Sequence, residues 1–173
     1  SSLLAATIVF YDAYHKENPL SPLVMGACRV LVYATAAAAT VGTSSQVALL
    51  AGAGCLLSYL IGLTYAAKQE SFGRLPSAWP LSFLFLPFVT LAWVPWPWGY
   101  VAFSAFALAT LHALSFLVRA SRRNIPKAVS CFLAGICLLD AVLVSIAGHP
   151  ELGLLCLAGY PLTRVLQRYV AGT

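Results

Sequence analysis

The sequence predicts an all-α protein, a polytopic transmembrane bundle of about seven helical spans. Of its 173 residues, 61% are hydrophobic and only 9% are charged, and the mean hydropathy is +0.86. The apolar runs are about twenty residues long, the length that crosses the hydrocarbon core as a helix, whereas a transmembrane β-barrel needs alternating segments of about ten. The composition excludes a soluble globular domain.

The first three predicted spans follow one another closely. The first apolar run, residues 3–14, has about twelve residues and is too short for a complete span. It has neither the basic region nor the cleavage site of a signal peptide, and the chain begins with serine. Either the chain is processed or it is the C-terminal part of a longer chain, and we expect truncation. The second span is predicted at 22–41 and the third at 46–67, where Gly52 and Gly54 are expected to allow close helix packing.

Four further spans are predicted in the second half of the chain. They lie at 79–94, 100–118, 128–147 and 152–169. The turn 95–100 is rich in tryptophan and proline, which is typical of a segment at the level of the lipid headgroups.

Lysine and arginine are confined to alternate loops, and this pattern predicts the orientation. The loops after the odd-numbered spans and the end of the seventh span carry all of them except Arg29: Lys16, Lys68, Arg74, Arg119, Arg122, Arg123, Lys127, Arg164 and Arg168. By the positive-inside rule these loops are predicted to be cytoplasmic. The lysines and arginines are scattered at the ends of apolar runs, and this placement does not predict a nucleic-acid site.

Two charged residues lie inside predicted spans, where a charge is costly and indicates function. Arg29 follows Pro22 by seven positions, about 10 Å along a helix, so its side chain can reach the cytoplasmic surface. Asp140 lies in the middle of the sixth span, twelve positions after Ala128 and about 18 Å from that end. It must pair with another group, face a wet cavity or be protonated.

The residues around these features, in their order and spacing, resemble the UbiA superfamily of intramembrane prenyltransferases, and most closely its EboC branch. The resemblance covers essentially the whole chain, and it is carried by the following segments: 11–16 with Pro22, Gly26 and Arg29; 65–70; 135–141; and 168–173. It implies a single UbiA-like domain over 1–173 that lacks the family's N-terminal helices and first acidic motif.

The resemblance also implies an activity. UbiA enzymes hold a polyprenyl diphosphate through Mg²⁺ at two acidic motifs and transfer the prenyl group to a small aromatic or lipid acceptor. By position, Lys16 with Tyr11 and His15 matches the diphosphate-binding loop, and 65–70 matches the second acidic motif.

The match at the second motif is imperfect. Lys68 and Glu70 stand where the family has paired aspartates. With Asp12 and Glu70 as the candidate Mg²⁺ ligands, and Lys68 and Arg74 as further diphosphate-binding cations, the chain alone is expected to be catalytically incomplete.

Simpler interpretations remain open for these residues. Asp12 and Lys16 are four apart and could form a surface ion pair worth a few tenths of a kcal/mol. Tyr11, Tyr14 and Tyr65 could be interface anchors. For the whole chain, the alternatives are a non-catalytic carrier or accessory protein for a small amphipathic molecule, and a structural subunit that docks through small-residue helix faces.

Overall fold

A computed structural model describes residues 5–7, 9, 27–35, 46–72, 79–95, 97–118 and 124–169, with the side chains of 46–49 and 68–72 excepted. Every element in these ranges is helical. Besides the helical segment 27–35, they are α1 (Gln46–Phe72), the 3₁₀ helix η1 (Trp79–Trp93), α2 (Trp98–Val118), α3 (Ile125–Ile146) and α4 (Pro150–Tyr169).

Three of these helices are long and apolar enough to cross a membrane. They are Leu50–Ala67 within α1, the whole of α2 and the whole of α3. The predictions of an all-helical fold and of membrane-spanning helices are confirmed at this level. The predicted fourth span corresponds to the shorter apolar η1, and the predicted seventh span to α4, which is not among the three candidates.

The core lies where α1, α2 and α3 meet, and Tyr59 is at its centre. The Tyr59 ring packs 5.6 Å from Phe106 and 6.2 Å from Phe132 between ring centroids, and all three side chains are buried. Its hydroxyl donates a hydrogen bond of 3.1 Å to the Phe132 carbonyl. A buried tyrosine needs such a partner. Gly135 leaves room for this hydroxyl, since a Cβ at Gly135 would lie only 2.5 Å from it.

Close packing of α1 depends on two of its glycines. A Cβ at Gly62 would lie 2.6 Å from Leu84 Cγ and 3.1 Å from the Leu84 backbone nitrogen, so η1 approaches α1 directly over this residue. Gly52 faces Leu143 of α3 at 3.7 Å, whereas a Cβ at Gly54 would meet nothing within 4 Å. The predicted close contact is therefore present at Gly52, whereas no described residue approaches Gly54.

The ends of α3 are set by local capping. The Asn124 side chain accepts a hydrogen bond from the Lys127 N–H at 3.2 Å, and Pro126 occupies the first turn, where a missing N–H costs nothing. At the other end Gly148 has a φ of +92°, a conformation that favours glycine, and α4 begins at Pro150. The Gly148 turn connects α3 to α4, and the Asn124 N–H donates to the Phe116 carbonyl at 3.2 Å, so the start of α3 lies against the end of α2.

The predicted orientation can be tested at the two ends of α3. Lys127 and Ala147 are both exposed. We expect a cysteine at Ala147, but not one at Lys127, to react with a membrane-impermeant thiol reagent added outside cells, because the basic loop should be cytoplasmic. Lys127→Cys should react only after permeabilisation. Labelling of Lys127→Cys in intact cells would reverse the orientation, and labelling of both would show that α3 does not span.

Candidate functional site

A hydrogen bond joins the helical segment 27–35 to α3 inside the apolar bundle. The Tyr33 hydroxyl donates to Oδ1 of Asp140, across 107 positions of the sequence. A hydrogen bond to a carboxylate is roughly twice as strong as one between neutral groups. Asp140 therefore has a polar partner, and both side chains are half-buried.

Arg29 adds a positive charge to this pair. It precedes Tyr33 by four positions, one turn of the segment 27–35, so both side chains lie on the same side of it. Arg29 acts electrostatically on Asp140. Among the described residues, one ion pair lies within 4 Å, between His149 and Glu151. The charged groups of Arg29 and Asp140 are therefore more than 4 Å apart. We call Arg29, Tyr33 and Asp140 the intramembrane polar cluster.

The cluster lies near one end of the bundle. Asp140 precedes the end of α3 at Ile146 by six positions, about 9 Å along the helix. Gly52, six positions into α1, faces the Tyr33 ring: a Cβ there would lie 4.0 Å from Cε1. Cys156, six positions into α4, is within electrostatic range of Asp140. All three measures place the cluster at the same depth.

This depth corrects one expectation. The sequence predicted Asp140 in the middle of its span, about 18 Å from the predicted helix start. The helix begins earlier, at Ile125, because Asn124 and Pro126 initiate it, and it ends at Ile146. Asp140 therefore lies about 22 Å from the start of α3 and about 9 Å from its other end, near the end opposite the basic loop.

Of the predicted diphosphate and metal residues, the structure describes only the backbone of Lys68 and Glu70. Tyr11, Asp12, His15, Lys16 and Arg74 lie outside the described residues. Lys68 and Glu70 lie in the last turns of α1, where the backbone is described and the side chains are not. Lys68 follows Gly52 by sixteen positions, about 24 Å in an α-helix. The structure therefore does not bring Lys68 together with the intramembrane polar cluster.

Sequence reasoning identified Arg29 and Asp140 but missed Tyr33 as their partner. The available signal was the spacing of four between Arg29 and Tyr33, which aligns both with one face of the predicted second span.

An open cavity of about 260 Å³ lies between the η1–α2 turn and the α3–α4 turn. Its walls include Trp93, Trp98, Ser145 and Pro150, and none of the described residues that line it is charged. This described lining contains none of the predicted diphosphate-binding residues. Among the residues that the structure describes, no three histidine, cysteine or acidic side chains are grouped to hold a metal ion.

The described fold defines an all-helical protein with three helices suited to a membrane. Comparison with protein-family models, curated proteins and solved structures finds no match to this chain. The resemblance to the UbiA superfamily therefore rests on the residues and their spacing alone.

Proposed function

We propose that this chain belongs to a UbiA-type intramembrane prenyltransferase, which transfers a prenyl group from a polyprenyl diphosphate to a small aromatic or lipid acceptor. One observation supports it above all. The apolar stretch of α1 ends at Ala67, but the helix continues to Phe72. Lys68 and Glu70 are therefore carried by a continuous helix immediately beyond the apolar stretch, where a site for a charged headgroup attached to an apolar chain has to lie.

In this proposal the cations Lys16, Lys68 and Arg74 bind the diphosphate, with Tyr11 and His15 beside it. All lie beyond the end of an apolar stretch on one side of the proposed seven-span bundle, the cytoplasmic side by the distribution of basic residues. The prenyl chain lies among the apolar helices. This division matches the ligand, which has one strongly anionic end and one apolar end.

The reaction proceeds by loss of the diphosphate. The bond between the allylic carbon and the diphosphate oxygen breaks, its electron pair leaves with the diphosphate, and carbocation character develops on the carbon. The cations stabilise the growing negative charge on the leaving group. The acceptor then forms a bond to that carbon and loses a proton.

The donor set of this chain does not fit the Mg²⁺ site that the resemblance implies. The chain has five acidic residues. Asp140 and Glu151 lie at the opposite end of the bundle, which leaves Asp12, Glu17 and Glu70, without the family's paired aspartates. Mg²⁺ requires near-octahedral oxygen coordination, so we assign no step to a metal.

Diphosphate binding provides the test. In nanodiscs containing the chain, we expect geranylgeranyl diphosphate to bind more tightly than geranylgeraniol, because only the former has a charged headgroup. Lys68→Ala should weaken binding of the diphosphate by about tenfold, the loss of one charge-assisted contact of about 1.4 kcal/mol, and should leave geranylgeraniol binding unchanged. The readout is a binding isotherm for each ligand.

Arg122→Ala is the matched control, since it removes a basic residue from a different cytoplasmic loop. Equal weakening by Arg122→Ala would indicate non-specific attraction to a positive surface. Equal affinity for the two ligands would contradict the proposed substrate class.

A carrier for a small amphipathic molecule is the second candidate. The observation in its favour is the intramembrane polar cluster, which lies about 24 Å from Lys68 along α1 and has no task in the diphosphate chemistry. The two functions differ in which residues matter: a carrier depends on Asp140 and not on Lys68, and the prenyltransferase has the reverse dependence.

A further inference from the structure

The burial pattern of η1 repeats every three residues. Its buried positions are Leu81, Leu84, Pro87 and Thr90. A 3₁₀ helix has three residues per turn, so these four side chains form one straight face. In an α-helix, nine residues at about 100° each would put Thr90 on the side opposite Leu81. Leu81 and Thr90 are instead 7% and 8% exposed, so the same face is buried from one end of η1 to the other.

The same geometry changes the length of η1. Its 15 residues would measure about 22 Å as an α-helix, less than the hydrocarbon core of about 30 Å. At about 2.0 Å per residue, a 3₁₀ helix of this length reaches about 30 Å. Trp79 and Trp93 occupy its two ends and are 70% and 66% exposed. Tryptophan is enriched at both membrane–water interfaces.

Contacts with α1 stabilise this unusual helix, since 3₁₀ runs beyond three or four residues are uncommon. Gly62 brings the α1 backbone against Leu84, and the Ser58 hydroxyl donates a hydrogen bond of 2.6 Å to the Phe83 carbonyl. Pro87 has no N–H, so in a 3₁₀ helix the carbonyl three positions earlier, at Leu84, loses its helical partner. The bond from Ser58 goes to the neighbouring Phe83 carbonyl and holds η1 against α1.

The opposite side of η1 is apolar and uncovered in the described structure. Val89 is 60% exposed, and Phe85, Leu86 and Leu91 are also exposed. No charged residue lies between Trp79 and Trp93. Hydroxyls within the helix are satisfied locally: Ser82 donates to the Trp79 carbonyl and Thr90 to the Pro87 carbonyl. This apolar surface suits contact with lipid acyl chains, which offer no hydrogen-bond partner to a polar group.

We propose that Trp79–Trp93 crosses the bilayer as a 3₁₀ helix, with the Leu81–Thr90 face on α1 and the outer face in contact with lipid acyl chains. Fifteen residues thereby cross a thickness that takes about twenty in an α-helix. The inference is independent of the prenyltransferase proposal, because it uses only η1 and α1.

Oxygen accessibility of nitroxide spin labels tests the helix type in the full chain reconstituted in nanodiscs. Single cysteines are introduced at Leu81, Thr90, Leu86 and Val89 in a background with the five native cysteines replaced by alanine, and circular dichroism selects folded variants. We expect low accessibility at Leu81 and Thr90 and several-fold higher accessibility at Leu86 and Val89. High accessibility at Thr90 with low accessibility at Leu81 is the α-helical result and would overturn the proposal.

A second measurement needs no substitution in the buried face. Variants that keep only Trp79 or only Trp93 are reconstituted in vesicles with a quencher confined to one leaflet. We expect both tryptophans to lie at headgroup depth. Trp79 should be quenched from one leaflet and Trp93 from the other. Quenching of both from one leaflet would make η1 re-entrant and overturn the proposal.

The spin labels at Leu86 and Val89 also test the lipid contact. Low oxygen accessibility at both positions would show that protein covers this face and would overturn the lipid contact.

Discussion

Replacing Gly62 by alanine is expected to lower the free energy of unfolding by about 1–3 kcal/mol, the usual cost of overpacking a core. A Cβ at this position would lie 2.6 Å from Leu84 Cγ and 3.1 Å from the Leu84 backbone nitrogen. A terminal methyl group could rotate away, but a branch carbon and a backbone atom cannot, so η1 must move from α1. Unfolding by sodium dodecyl sulfate in mixed micelles, followed by circular dichroism, measures the effect.

Gly54→Ala is the control within the same helix. A Cβ there meets nothing within 4 Å, and alanine is favoured over glycine in a helix by about 1 kcal/mol. We therefore expect Gly54→Ala to be neutral or stabilising. A similar loss of stability in both variants would show that η1 does not pack on Gly62 as described.

Replacing Asp140 by alanine is expected to cost about 1.5–3 kcal/mol, the range for a hydrogen bond to a charged group. The change leaves the Tyr33 hydroxyl without its acceptor and Arg29 without the nearby negative charge. Asp140→Asn should cost about half as much, because the amide oxygen still accepts from Tyr33 but the bond is no longer charge-assisted. The same detergent unfolding measures both.

Two further variants separate this explanation from a general effect of removing a carboxylate. Glu151 is exposed and pairs with exposed His149 at 3.5 Å, so Glu151→Gln should change stability by less than about 0.5 kcal/mol. Tyr33→Phe should destabilise, but in combination with Asp140→Ala it should add little, because both remove the same bond. Additive losses from Tyr33→Phe and Asp140→Ala would contradict the pairing.

The arrangement separates two kinds of polar chemistry along the bundle axis. The intramembrane polar cluster lies about 9 Å from one end, and Lys68 lies about 24 Å further along α1. In the proposed prenyltransferase, Arg29 and Asp140 therefore hold the segment 27–35 against α3 and do not touch the diphosphate. In a carrier, the same residues would contact the transported molecule. Variants of Lys68 and Asp140 distinguish the two functions directly.

Span positions were largely predictable because hydropathy is a sum over neighbouring residues. The spans predicted at 46–67, 100–118 and 128–147 coincide with the three helices suited to a membrane, and their ends differ by at most four residues. The extension of α1 to Phe72 was not predicted, since the apolar run stops at Ala67. Lys68, Gln69 and Glu70 are good helix formers, so the backbone hydrogen bonds continue after the hydropathy falls.

The sequence by itself determined the all-helical class, the approximate membrane-spanning stretches and the two intramembrane charges that needed an explanation. Only the tertiary structure decided that Tyr33 is the partner of Asp140, that Gly62 rather than Gly54 receives a neighbouring helix, and that η1 adopts a 3₁₀ form. The reason is physical. Hydropathy and propensity act over a few residues, whereas a hydrogen bond across 107 positions and a glycine contact depend on which helix faces meet.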